Sequence, residues 1–200
     1  MSARLGILLS GRGSNFEAIA QNVLGGKLDC EIGFVFSNKP NAAGLARARE
    51  LGLPCGSIPS AGIERTAFDT QVADLLKDHG VTWVCLAGYM RFLSGQFVRQ
   101  FHNRILNIHP SLLPAFPGLD AQYQALTHGA KITGATVHFV NEDLDSGPIL
   151  LQAAVPVLDN DTVESLSARI LIEEHRIYSE AISWVLDGNY RIEGRRVIKT

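Results

Sequence analysis

Cysteine is scarce in this chain, long hydrophobic runs are missing, and positive charge is not in excess. Cys30, Cys55 and Cys85 are odd in number and far apart, with no C-x-x-C spacing. That excludes a disulfide framework and suits reduced structural thiols, so the expected compartment is the cytoplasm. The apolar run from Leu5 to Leu9 is ended by Gly11, Arg12 and Gly13, too short for a signal segment or a membrane span; no membrane partner is expected. With 18 Lys and Arg against 20 Asp and Glu the net charge is -2, which leaves no basic field for a phosphate backbone and argues against a nucleic-acid partner. None of the six histidines stands in a metal-ligand spacing, so no metal is expected. Repeats, low-complexity tracts and linkers are also absent, which predicts one domain over 1–200, dividing internally into 1–110 and 111–200.

What is present is enough apolar residue, 46% of the chain, to build a packed core, arranged in a regular alternation. Short apolar runs predict strands at Arg4 to Ser10, Cys30 to Ser37, Pro54 to Ile58, Trp83 to Ala87 and Arg104 to Ile108. Between them, amphipathic stretches predict helices at Phe16 to Leu24, Ala42 to Leu51, Ile63 to His79 and Ser94 to Phe101, the third with Phe68, Val72, Leu75 and Leu76 on one face. This strand and helix alternation predicts an α/β fold, a doubly wound and mostly parallel sheet flanked by helices. After a Pro-rich apolar loop ending at Gly118 come a helix from Asp120 to His128 and strands at Thr133 to Val140 and Ile149 to Val157. A long helix capped by Asp161 or Thr162 and a hairpin from Tyr190 to Lys199 close the chain.

Gly11-Arg12-Gly13-Ser14-Asn15 follows a predicted strand and opens a helix, where free N–H groups and the helix dipole favour an anion. Equally, the glycines can simply make a tight turn while Ser14 or Asn15 caps the helix. A dinucleotide site is argued against, since Phe16 stands where a third glycine belongs and Asn38-Lys39 where an acidic residue belongs.

Asn107 and His109 are two apart on a strand end, so they share a face, while Leu106 and Ile108 point the other way. At the carboxyl end of a parallel strand, where ligands collect, an amide and an imidazole form a hydrogen-bond donor and a proton shuttle suited to acyl chemistry. A nearby carboxylate would favour the charged imidazole. Glu142, Asp143 and Asp145 in the polar loop from Asn141 to Pro148 are all candidates, and spacing does not choose among them. Ordinary roles exist for each: a histidine before a proline turn, a strand-end amide, a solvated acidic turn.

The segment N-I-H-P-S-L-L-P-A-F-P-G, Asn107 to Gly118, resembles phosphoribosylglycinamide formyltransferases, the folate-dependent enzymes of purine synthesis. So do Gly11 to Asn15, F-S-N-K at Phe36 to Lys39, A-G-Y-M-R-F-L at Ala87 to Leu93, T-V-H-F-V at Thr136 to Val140 and D-L-D-S-G-P-I at Asp143 to Ile149, almost end to end and in order. The resemblance implies a Rossmann-like formyltransferase fold and transfer of formyl from 10-formyltetrahydrofolate, a co-substrate, to glycinamide ribonucleotide. It implies His109 as catalytic acid, Asn107 on the formyl oxygen and Asp145 as the carboxylate that tunes the histidine. By the same resemblance Gly13, Ser14 and Asn15 hold the substrate phosphate and Glu174 the ribose. The reduced folate would be held by Arg65, by Met90, Arg91, Phe92 and Leu93, by Asn107, and by Asn141, Glu142, Asp143, Leu144 and Asp145. Asp120 and Gln122 stand where many relatives have histidines, so no role of those histidines carries over.

Formyltetrahydrofolate deformylase is the alternative for the same reacting residues. It usually carries an added N-terminal domain and tends to have a second histidine where this chain has Pro110. A methionyl-tRNA formyltransferase would need a basic C-terminal module, for which neither charge nor length leaves room. A noncatalytic nucleotide-binding module would explain the glycine loop but give Asn107, His109 and Asp145 no task. A monomer or a homodimer is expected.

Overall fold

Each short apolar run becomes a strand in the computed structural model, which describes residues 2–200. The chain divides into two units, the first ending at Asn107 and the second beginning at Ile108. In the first lie β1 (Ala3–Leu9), α1 (Ser14–Leu24), β2 (Cys30–Ser37), α2 (Ala43–Glu50), β3 (Cys55–Ser57), α3 (Arg65–Asp78), β4 (Trp83–Leu86) and α4 (Gly95–Gln100). β5 (Ile105–His109) begins there, and its last two residues open the second unit.

The strand order in the first unit is β3-β2-β1-β4-β5, with every pairing parallel. Consecutive residues Ile7, Leu8 and Leu9 of β1, and Val35 and Phe36 of β2, are fully buried. A strand buried on both faces needs helices on both faces. Right-handed crossovers supply them: the chain steps one way from β1 to β3 and the other way from β3 to β4, so α1 and α2 cover one face and α3 and α4 the other. The mostly parallel, helix-flanked sheet predicted from the alternation is what the chain builds.

Three local expectations need correction. The helix predicted from Ile63 starts at Arg65, because the Glu64 carboxylate accepts the Ala67 N–H at 2.9 Å and takes the cap. Leu75 is only half-buried, while Asp69, on the inward face with Phe68, Val72, Ala73 and Leu76, is 1% exposed. Neither Ser14 nor Asn15 caps α1. The cap position is Gly13 in the left-handed region at φ 81°, and no side chain bonds there. A Cβ on Gly13 would come within 2.9 Å of the Gly44 Cα, so the turn is set by backbone against backbone.

The second unit holds α5 (Ala121–Thr127), β6 (Ile132–Phe139), β7 (Ile149–Pro156), α6 (Val163–Asp187), β8 (Tyr190–Glu193) and β9 (Arg196–Lys199). Its order is β6-β7-β9-β8, with β6 antiparallel to β7 and β8 to β9. α6 packs on β6 and β7. Of its two expected caps, Thr162 is the one used, in a reciprocal pair with Ser165, and Gly188 at φ 73° ends the helix. Among the described residues, no helix is long and apolar enough to cross a membrane.

Candidate active site

β5 carries Asn107 half-buried and ends on His109, which is 5% exposed. The ring is held at both nitrogens: Nε2 lies 2.8 Å from the Phe116 carbonyl oxygen and Nδ1 3.4 Å from Asp145 Oδ2. Both partners are acceptors, and an imidazole with a proton on each nitrogen satisfies both. Glu142, Asp143 and Leu144 are exposed in the same loop, whereas the Asp145 side chain is 10% exposed and turned inward. Its backbone sits at φ 45°, a left-handed conformation that costs a non-glycine residue energy and here aims the carboxylate at the ring.

The loop that carries Asp145 is fastened from behind. Phe139 N–H donates to the Pro148 carbonyl at 2.8 Å, and a Cβ on Gly147 would run into the Phe139 carbonyl oxygen. Only glycine lets the two backbones approach that closely. Across the loop mouth, Asn141 Nδ2 donates to Ser146 Oγ at 3.2 Å.

His138 is the second histidine beside Asp145, with Nε2 3.8 Å from Oδ1. Its Nδ1 lies 2.8 Å from the Phe139 carbonyl, which fixes the neutral tautomer with hydrogen on Nδ1. Burial pushes its pKa below the ordinary value, against the smaller upward pull of the Phe139 carbonyl and Asp145. Beside the carboxylate lie the His109 ring, at 3.4 Å, and the Gly118 N–H, which donates to it at 2.8 Å.

Residues 110–120 form a loop with two unlike halves. At its base Thr136 Oγ1 donates to the Ser111 carbonyl at 2.7 Å and accepts the Leu113 N–H at 3.1 Å, while Gln152 Nε2 donates to the Leu113 carbonyl at 2.9 Å. Ser111 and Thr136 are fully buried. At its tip Phe116, Gly118 and Asp120 are all left-handed, and Phe116 and Gly118 bond the two site residues His109 and Asp145. Thr136 and Gln152 were not singled out from the sequence. Their partners lie 16 to 39 residues away, and a threonine inside a strand gives no local sign of such a role.

In the first unit, the carboxyl ends of β1 and β4, where the strand order reverses, carry the glycine loop and the stretch Gly88 to Leu93. Ser10 ties them together. Its N–H donates to the Gly88 carbonyl at 3.0 Å, its hydroxyl donates to Asn38 Oδ1 at 2.6 Å, and that hydroxyl accepts the Met90 N–H at 2.8 Å. Ser14 is half-buried and Asn15 is 9% exposed on the first turn of α1. Met90 and Phe92 project outward at 62% and 61% exposure, Arg91 turns back so that its guanidinium lies 4.5 Å over the Phe68 ring, and Leu93 is half-buried. Arg65 is exposed at the start of α3. In the second unit Glu174 is buried on α6, at 8% exposure. His109 and Asp145 are thus brought together within the second unit, while Gly13, Ser14, Asn15, Arg65, Asn107 and Met90 to Leu93 belong to the first.

Comparison with known proteins adds five findings. A formyl transferase family model matches residues 3–182. The chain is 43% identical to the phosphoribosylglycinamide formyltransferase of Escherichia coli, over 93% of this chain and 88% of that enzyme. It is 46% identical to the trifunctional purine biosynthetic protein adenosine-3 of Bos taurus over 95% of this chain, and it spans only 19% of that protein's length. Among solved structures, glycinamide ribonucleotide transformylase 1 from Symbiobacterium toebii superposes with a TM-score of 0.97 at 54% identity, covering 99% of this chain and 94% of that one. A formyltetrahydrofolate deformylase from Pseudomonas syringae reaches a TM-score of 0.93 at 26% identity, covering all of this chain and 66% of that one.

Proposed function

Because the chain belongs to the formyl transferase family, we propose that it transfers the formyl group of 10-formyltetrahydrofolate to the amine of glycinamide ribonucleotide in purine synthesis. The observation that carries this reading is the inward, left-handed Asp145 facing His109, in a chain that matches nearly the whole of an enzyme of that activity.

The chemistry follows from charge. As the amine nitrogen bonds to the formyl carbon, the carbonyl π pair moves onto oxygen, and the Asn107 amide is the group we assign to stabilise it. Collapse returns that pair to the carbonyl and breaks the bond to N10 of the folate. His109, the acid of this step, gives N10 its proton, and the proton lost by the amine restores the ring; net, one proton passes from amine to folate nitrogen. The Phe116 carbonyl occupies the Nε2 position this step needs. The loop tip therefore withdraws when substrate binds, while the base, bonded to Thr136 and Gln152, stays.

For binding, we assign the substrate phosphate to Gly13, Ser14 and Asn15 at the start of α1 and the ribose to Glu174. We assign the folate to Arg65, Met90, Arg91, Phe92 and Leu93, with Asn107 and the backbone of Asn141, Glu142, Asp143, Leu144 and Asp145. The match to residues 3–182 runs through both units, which supports treating 1–200 as one domain in two halves. We place the reaction in the cytoplasm and the protein as a monomer or homodimer.

Hydrolysis of the same folate is the second reading, since the deformylase shares the fold; its lower identity, 26% against 54%, sets it behind. The test is to follow deformylated folate from 10-formyltetrahydrofolate with and without glycinamide ribonucleotide. Release that depends on the amine supports transfer. Equal release without it makes the protein a hydrolase, and ligand binding without release makes it a noncatalytic binding module.

A further inference from the structure

We infer that Asp69 is a positioning residue for the reduced folate, because it fixes the backbone at one end of the Met90 to Leu93 segment. This rests on the reading above that the segment receives the folate.

From Ala87 to Ser94 the chain belongs to no helix or strand. Its shape depends on what clamps its ends. One end is the Met90 N–H bonded to Ser10, whose hydroxyl is itself bonded to Asn38. The other is Ser94, whose N–H donates to Asp69 Oδ2 at 2.5 Å while its own hydroxyl accepts the Phe97 N–H at 3.3 Å and starts α4. Between the clamps Arg91 lies over the Phe68 ring with its charge facing Asp69. With Arg91 folded inward and both ends tied, Met90 and Phe92 are left as two large, exposed apolar side chains.

Asp69 is a costly choice for a core position. It is 1% exposed, burial pushes its carboxyl above the usual range, and among the described residues neither Oδ1 nor the buried Arg91 Nε has a hydrogen-bond partner. An apolar side chain there would pack on Phe68 and Val72 without those penalties. What only an acceptor supplies is a partner for the Ser94 N–H and hydroxyl.

The experiment measures KM for 10-formyltetrahydrofolate and for glycinamide ribonucleotide separately. Asp69→Ala raises the folate KM about tenfold, the size expected for a lost hydrogen bond to a charged group, and leaves the amine KM within about twofold. Ser94→Pro removes the same N–H from the opposite side, at a φ of -69° that a proline ring accepts, and gives the same change. Ser94→Ala keeps the N–H and loses the helix cap and the hydroxyl's bond to the Asp69 carboxylate, so its folate KM rises less than that of Ser94→Pro. Asp69→Asn, which keeps an oxygen for the N–H, recovers most of the loss.

A folded Asp69→Ala protein whose two KM values rise together, or a Ser94→Ala protein that behaves like Ser94→Pro, overturns the inference. Should Asp69→Ala not fold, the Ser94 pair decides alone. If the wild type transfers no formyl group, the functional reading fails by itself; equilibrium binding of tetrahydrofolate to wild type, Ser94→Pro and Ser94→Ala then decides the positioning claim.

Discussion

Two inward-turned carboxylates, Asp145 in the second unit and Asp69 in the first, do the same thing to the backbone and different things to charge. Each accepts a loop N–H, from Gly118 and Ser94 respectively, and each has a nitrogen-bearing side chain near it. Asp145 lies beside His109, an imidazole that can give and take a proton; Asp69 lies near Arg91, a guanidinium that cannot. A carboxylate beside a titrating ring can govern proton transfer, whereas one beside a guanidinium can only hold shape. We therefore give the first to the chemistry and the second to the binding surface.

The largest effect that separates the two sites is loss of the titrating ring. His109→Ala lowers kcat between about a hundredfold and ten-thousandfold while the unfolding temperature stays near wild type. Substitution at Asp69 shows up in KM instead. Turnover of His109→Ala close to wild type would erase the distinction.

Next in size is Gly147→Ala. Its Cβ collides with the Phe139 carbonyl, so the Asp145 loop has to shift, at a cost of about 1–3 kcal/mol in stability. Moving the carboxylate off His109 lowers turnover about tenfold, with smaller change in either KM. Steady-state kinetics and denaturant titration check both halves; full turnover in a destabilised protein would mean that the loop position is unimportant.

His138 gives the smallest effect, and it appears in stability. Its pKa is lowered in the folded state, so the unfolded chain binds this proton more readily. Stability present above the ordinary histidine value of about 6.5 is lost as pH falls through that value toward the lowered one. His138→Asn keeps a donor for the Phe139 carbonyl and carries no such proton. The drop in unfolding free energy between pH 7 and pH 5 is accordingly shallower than in wild type; parallel pH curves would show that His138 is not the group responsible.

Much of the fold was legible because the signals are local. A short apolar run such as Leu5 to Leu9 between turn residues points to a strand, and Asp161 and Thr162 point to a helix start, of which Thr162 is the cap used. At the site, the strand-end pair Asn107 and His109 was visible from alternation, but the choice among Glu142, Asp143 and Asp145 depends on a left-handed backbone at Asp145 that residue spacing does not encode. Asp69 was missed for a related reason. A helical face drawn through apolar residues takes in Leu75 and passes over a carboxylate, because the sequence does not show that Ser94 and Arg91 lie opposite it. Thr136 and Gln152 likewise matter only through partners far along the chain.

The central claim is that the Asp145 carboxylate holds the His109 ring in place for proton transfer. The kcat of wild type and Asp145→Asn tests it most directly, with Asp69→Asn as the matched control. A neutral amide attracts the ring less strongly than a carboxylate does, so in Asp145→Asn kcat falls about tenfold or more. In Asp69→Asn it stays near the wild-type value. Equal kcat in wild type and Asp145→Asn, or an equal fall in the control, would contradict the account.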